Sequence, residues 1–102
     1  MKLKFMQLGK NLITEEDNEK DSWDKVKAKL EEEYKELIEA IEEKNTVHIL
    51  EESFDVIQVV IRIFALLKKN NVDIEQANKR HNRKLVKRMW KHVNIIRVFL
   101  DK

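Results

Sequence analysis

The sequence has no cysteine, no proline and a single glycine, Gly9, in 102 residues. Without cysteine there are no disulfides, no thiolate metal sites and no cysteine nucleophile. Tight strand-to-strand turns lack their usual residues, so an all-helical chain is expected. A lone glycine also leaves no glycine-rich loop to cradle phosphate. No unbroken apolar run is long enough to span a bilayer, because the apolar-rich stretch 49–67 contains Glu51, Glu52, Asp55, Gln58 and Arg62. Lys2 and Lys4 precede no long apolar region of the kind a secretory signal carries. A soluble, cytoplasmic protein with no membrane partner is therefore expected. No Ser-His-Asp arrangement stands out.

What is present is charge, unevenly spread. The formal net charge is only +2, yet residues 15–55 carry sixteen Asp/Glu against six Lys/Arg, and residues 71–102 carry nine Lys/Arg against three Asp/Glu. Such halves can face each other, or can together hold a ligand bearing both metal and phosphate. The length suits one domain, 1–102. A chain this short buries only about 60–70% of its unfolded surface, so its core is modest and oligomerisation would add burial.

The apolar pattern resolves into helices. "MKLKFMQLGKNLI" is an apolar-basic lead with room for a helical turn or two, and "TEEDNEKD" is a polar connector. Asp21 or Ser22 can cap a helix running to about Glu43, with Trp23, Val26, Leu30, Leu37 and Ile41 at three- and four-residue spacing. Asn45 suits a left-handed position where glycine is absent. Asn45 or Thr46 caps a second helix over about 47–69, ended by Asn70 and Asn71. Asp73 and Gln76 form a capping-box pattern for a third, which the spacing of Ile74, Ala77, Leu85, Met89, Val93, Ile96 and Leu100 carries to about Leu100. His81 falls among these and reads as a packed histidine; His48 and His92 read as surface residues. Trp23, Phe54, Phe64 and Trp90 read as core or interface, with base contact a lesser option for Tyr34 and Trp90. The fold expected is an all-α bundle of three main helices after a short N-terminal segment, with antiparallel neighbours and completion by dimerisation.

At about 100° per residue, Glu33 lies only about 60° from the centre of its helix's apolar face, and Glu36 at the margin. Glu32 and Glu39 point away to solvent. On the next helix Glu51, Asp55, Gln58 and Arg62 share one stripe, and Glu52 lies on the other side of Asp55, leading into Val59 and Ile63. If the two helices pack antiparallel, Glu33, Glu36, Glu52 and Asp55 converge. Crowded carboxylates repel and raise one another's pKa values. A hard, oxygen-seeking divalent cation such as Mg²⁺ relieves that repulsion and bridges to phosphate oxygens. The plainer alternative is solvated acidic faces with ordinary salt bridges, for example Asp55 or Gln58 with Arg62.

"EEYKELIEAI" followed by "EESFDVIQVV" resembles the ExxE…ExxD signature of the MazG-like, all-alpha nucleotide pyrophosphohydrolases, here Glu33-x-x-Glu36 and Glu52-x-x-Asp55. The resemblance covers roughly residues 23–90 and includes the following "ANKRHNRKLVKR". It implies Mg²⁺, or Mn²⁺, held by these four acids. It implies hydrolysis of a nucleoside triphosphate between the α and β phosphates, giving a monophosphate and pyrophosphate. It also implies a homodimer or dimer of dimers. Either Glu36 or Glu52 is then the carboxylate expected to orient or deprotonate the attacking water. Asn78, Arg80 and Lys84 best match the family's phosphate-binding positions, and Arg88 continues their stripe.

Two rivals from other classes remain. A non-enzymatic helical module could bind nucleic acid, or act as a regulatory oligomer, through the basic helix. Near-neutral net charge and the lack of a reading motif make nucleic acid the weaker expectation. A purely structural helical oligomer would gain no stability from Mg²⁺.

Overall fold

The computed structural model describes residues 1–100. They form two compact units, Met1–Val72 and a second from Asp73 onward. The first unit is built on an antiparallel pair, α1 (Trp23–Glu43) and α2 (Thr46–Lys69), and the second contains α3 (Ile74–Lys87). With three helices and no strands among the described residues, the chain is all-α. Among the described residues no helix is long and apolar enough to cross a membrane.

Polar caps set the helix ends. The Lys25 N–H donates to Ser22 Oγ at 3.2 Å, fixing the start of α1. The His48 N–H donates to Asn45 Oδ1 at 3.2 Å and starts α2, and the Gln76 N–H donates to Asp73 Oδ1 at 3.0 Å and starts α3. Between α1 and α2 the left-handed position falls on Lys44 (φ 57°), whose N–H donates to Ile41 O, and not on Asn45. The physical reason is that the Asn45 side chain is engaged by the His48 N–H as the cap of α2, so the strained left-handed position falls on the residue before it. Two linking residues leave α2 no course but back along α1.

The seam between α1 and α2 is a pair of seven-residue stripes. On α1 the buried residues are Val26, Glu33 and Ala40; on α2 they are Val59 and Leu66, with the half-buried Glu52 one heptad earlier. Leu30 and Ile63 pack against Val26, Val59 and Leu66. Among the described residues only four apolar ones are buried, and Tyr34, Ile38, Ile41, Leu50, Ile57 and Phe64 remain exposed on the helix pair. Trp23 and Trp90 are exposed as well, so within one chain these aromatics are surface residues; Phe54 instead meets Phe5 edge-on at 5.7 Å.

The lead over 1–13 contains no helix. Asn11 Oδ1 accepts from the N–H groups of Ile13 and Thr14, drawing the backbone into a turn that competes with helix. A short 3₁₀ turn, Asn18–Lys20, follows inside the polar connector. The segment is held to α2 by Phe5 on Phe54, by Lys69 Nζ donating to Glu19 O at 3.0 Å, and by a two-pronged ion pair. In that pair Arg62 Nε and Nη2 donate to the two Asp21 oxygens, each at 2.8 Å.

In the second unit α3 stops at Lys87, well before Leu100. Met89 turns left-handed (φ 69°), and the Trp90 N–H donates back to Leu85 O. The apolar spacing continues past this point, but Val93, Ile95, Ile96 and Val98 are β-branched and weak helix formers. His81 is accordingly exposed, not packed.

The hairpin link yields a direct test. In urea unfolding, Asn45→Ala should cost about 1 kcal/mol and Asn45→Gly only a few tenths. Lys44→Gly should stabilise by up to about 1 kcal/mol, because glycine enters left-handed backbone without strain.

Candidate functional site

The antiparallel register brings Glu33 and Glu36 of α1 against Glu52 and Asp55 of α2. Carboxylate oxygens of Glu33, Glu36 and Glu52 lie within 4.8 Å of one another. Asp55, exposed, stands outside this trio but within reach of the Glu33 charge.

Glu33 is the buried member, with 5% of its surface exposed. One of its oxygens meets Lys29 Nζ at 3.1 Å, a turn earlier on α1. The other, Oε2, is shielded from solvent and accepts no hydrogen bond, and the same holds for Glu52 Oε2. Buried carboxylate oxygens normally find donors, so two together without them are an electrostatic deficit. Neighbouring groups register it. The Glu36 carboxyl is pushed up to about 7, first by the charge of Glu33 and further by its hydrogen bond and proximity to Glu52. Asp55 is also raised, first by partial burial and then by Glu33, with Lys29 opposing. Lys29 is raised in turn by its bond to Glu33. Hard oxygen ligands, converging, partly desolvated and short of positive charge, are the donor set that a divalent cation such as Mg²⁺ requires. The residues fit the group.

Two clefts open from this cluster. The smaller, about 190 Å³, is bordered by Glu36, Glu39, Glu43, His48 and Glu52. His48 Nδ1 is 3.8 Å from Glu43, so this surface histidine does have an acidic neighbour. The larger, about 410 Å³, lies on the Glu33 and Asp55 side. Gln58 and Arg62 border it, and Leu8, Glu16 and Asn18 of the N-terminal segment form a wall. Arg62 pairs with Asp21, not with Asp55 or Gln58. Asp21 sits just ahead of the α1 cap, where the antiparallel register sets it opposite Arg62 and buries its side chain to 4% exposure. That bond holds the Asp21 carboxyl below its ordinary value.

The basic candidates belong to the second unit. Asn78, Arg80 and Lys84 are exposed on α3, and Arg88 closes its C-terminus. Helical phase locates Glu33 and Glu52 in the sequence, but not Lys29, Asp21 or the role of Arg62. Lys29 carried a usable signal, four residues before Glu33 on the same face; the Asp21–Arg62 pair, 41 residues apart, had none.

The raised Glu36 carboxyl makes a signed prediction for the metal-free protein. Folding takes up a proton there, so this group's favourable contribution is intact below its ordinary value of 4.5 and is lost as pH rises through about 7. In thermal melts with chelator, Glu36→Gln should raise Tm at pH 8 and raise it less at pH 5. An equal shift at both pH values would contradict the crowding.

The family profile of the MazG nucleotide pyrophosphohydrolase domain matches residues 22–93, which spans both helices of the cluster and all of α3. No curated protein and no solved structure matches the chain. With well over half of its length matched, the chain belongs to the family of the MazG nucleotide pyrophosphohydrolase domain.

Proposed function

We propose that this chain is a divalent-metal-dependent nucleoside triphosphate pyrophosphohydrolase, cleaving the α–β phosphoanhydride to a nucleoside monophosphate and pyrophosphate. The observation that carries the reading is the trio Glu33, Glu36 and Glu52, with shielded oxygens of Glu33 and Glu52 lacking any donor. Family membership supplies the reaction class.

Glu33, Glu36, Glu52 and Asp55 would hold Mg²⁺, with Mn²⁺ an alternative of similar chemistry. A bound ion of this type neutralises charge on phosphate oxygens and makes a water more acidic. The chain's own residues do the rest. Lys29 orients Glu33 by binding one oxygen and leaving the other without a donor. Glu36 and Glu52 both border the smaller cleft, and the more exposed Glu36 is the better placed to orient the water and accept its proton. The new P–O bond comes from that water, and the bridging P–O bond breaks. On α3, Asn78, Arg80, Lys84 and Arg88 are the proposed partners of the phosphate chain, through charge-assisted hydrogen bonds.

A homodimer or dimer of dimers follows from the same reading. The four-residue apolar core leaves Ile38, Ile41, Leu50, Ile57 and Phe64 uncovered on the first unit, and pairing of copies would cover them. An enzyme acting on nucleotide pools would work in the cytoplasm.

The test is product identification across the NTPs and dNTPs with Mg²⁺. Pyrophosphate is the expected product, and Glu52→Gln and Asp55→Asn should each lower the rate by roughly 100-fold or more. Arg80→Ala and Lys84→Ala should mainly raise KM. Release of orthophosphate, or unchanged rates in the two acid variants, sinks the reading.

A further inference from the structure

We infer that the larger cleft of the first unit receives the nucleoside end of the substrate, with Gln58 and Asn18 reading the base and favouring bases that carry an exocyclic amino group. The assignment rests on the pyrophosphohydrolase reading and extends it to the substrate's other end.

A nucleoside triphosphate has an anionic end and a largely neutral end, and the clefts flanking the carboxylates differ in size and in apolar lining. The smaller has four glutamates and a histidine on its border, with Ala40 the only apolar side chain. Its volume of about 190 Å³ is below the roughly 300 Å³ at which pockets for organic ligands begin. The larger, at about 410 Å³, is within that range. Leu8 and the buried Val59 give it apolar wall, on which the face of a base can rest.

Its cations do not make it a phosphate site. Lys29 is bound to Glu33 at 3.1 Å, and Arg62 gives both prongs to Asp21 at 2.8 Å. Each is already neutralised, so the cleft offers little net attraction to a polyphosphate. Beside the carboxylates of Glu16, Glu33 and Asp55, it offers amides. Gln58 Oε1 is shielded from water and accepts no hydrogen bond, so the cost of stripping its water is already borne by the fold. The terminal amide torsion of glutamine is broad, and a turn about it brings the acceptor to a ligand's N–H. Asn18 adds a second amide, and Glu16 a second strong acceptor, from the N-terminal wall. A wall rich in acceptors selects a donor-rich edge, which cytosine, adenine and guanine present through their amino groups and uracil and thymine do not.

Residues 5–21 would then wall the base side of the cleft. Phe5 on Phe54, Glu19 O on Lys69 and Asp21 on Arg62 hold this segment against α2, so its side chains are a fixed wall of the cleft.

The experiment is an amide-resonance NMR titration of the whole chain with cytidine, uridine and inorganic pyrophosphate, followed by Gln58→Leu and Asn18→Ala. Cytidine should shift the amides of Leu8, Asn18 and Val59 and bind more tightly than uridine, while pyrophosphate leaves these amides unmoved. Gln58→Leu should weaken cytidine binding about tenfold and raise the KM for CTP by a similar factor relative to UTP. Asn18→Ala should lower the same preference. The inference is overturned if cytidine leaves the three amides unmoved, if pyrophosphate moves them, or if neither variant alters the cytidine-to-uridine ratio. A wild-type chain that releases no pyrophosphate from any nucleotide defeats the hydrolase reading alone, because the nucleoside titration tests the cleft without any chemistry.

Discussion

Glu33 occupies the centre of the buried stripe of α1, seven residues after Val26 and seven before Ala40, where packing alone would place an apolar side chain. Desolvating a carboxylate there costs on the order of several kcal/mol, and a single half-exposed lysine cannot return it all. Lys29 satisfies one oxygen and keeps 42% of its own side chain in water, so its attraction is screened. The second oxygen is left without a partner. Nearly every other property of the cluster follows from this one placement. Glu36 holds its proton toward neutrality because Glu33 is charged, Asp55 is raised partly for the same reason, and Glu52 brings a second unpartnered oxygen to the same seam.

The register that creates the crowding is enforced from both ends of the helix pair. At one end the two-residue link, with Lys44 left-handed and Asn45 as cap, sets α2 against α1. At the other, Asp21 and Arg62 lock the entry to α1 to the C-terminal half of α2 through two hydrogen bonds in a largely buried setting. A slip of α2 by one residue would rotate Glu52 out of the seam and take Arg62 from Asp21 together. The two features therefore specify one alignment, and a polar pair used to fix register is the best-attested role for buried charge.

Much of this was legible in the sequence. Three- and four-residue spacing located α1 and α2, Asp21 or Ser22, Asn45 or Thr46, and Asp73 marked where the three helices start, and phase singled out Glu33 as too close to the apolar face for a solvated acid. These are local properties, decided within one or two helical turns. The rest depends on contacts distant in sequence or on competing local chemistry. Nothing in the spacing pairs Asp21 with Arg62, and the nearer Asp55 and Gln58 are the natural guess. The end of α3 at Lys87 was hidden by an apolar repeat that runs on to Leu100, over β-branched residues that do not sustain helix. The helical turn or two that the lead had room for gave way to an Asn11 turn, because one amide side chain captured the backbone first.

The thin core and the acidic seam have a common origin. Two of the six stripe positions, 26, 33 and 40 on α1 and 52, 59 and 66 on α2, are given to glutamate, so the seam stabilises the fold less than an apolar one would. In the proposed enzyme a cation bound by the folded state and not by the unfolded one adds to stability by mass action. It would do so where the apolar packing is interrupted, converting mutual repulsion among Glu33, Glu36 and Glu52 into shared attraction. Site and scaffold are then the same residues: an apolar substitution at Glu33 would relieve the seam and remove the ligand, whereas occupancy by the ion relieves the seam and keeps it.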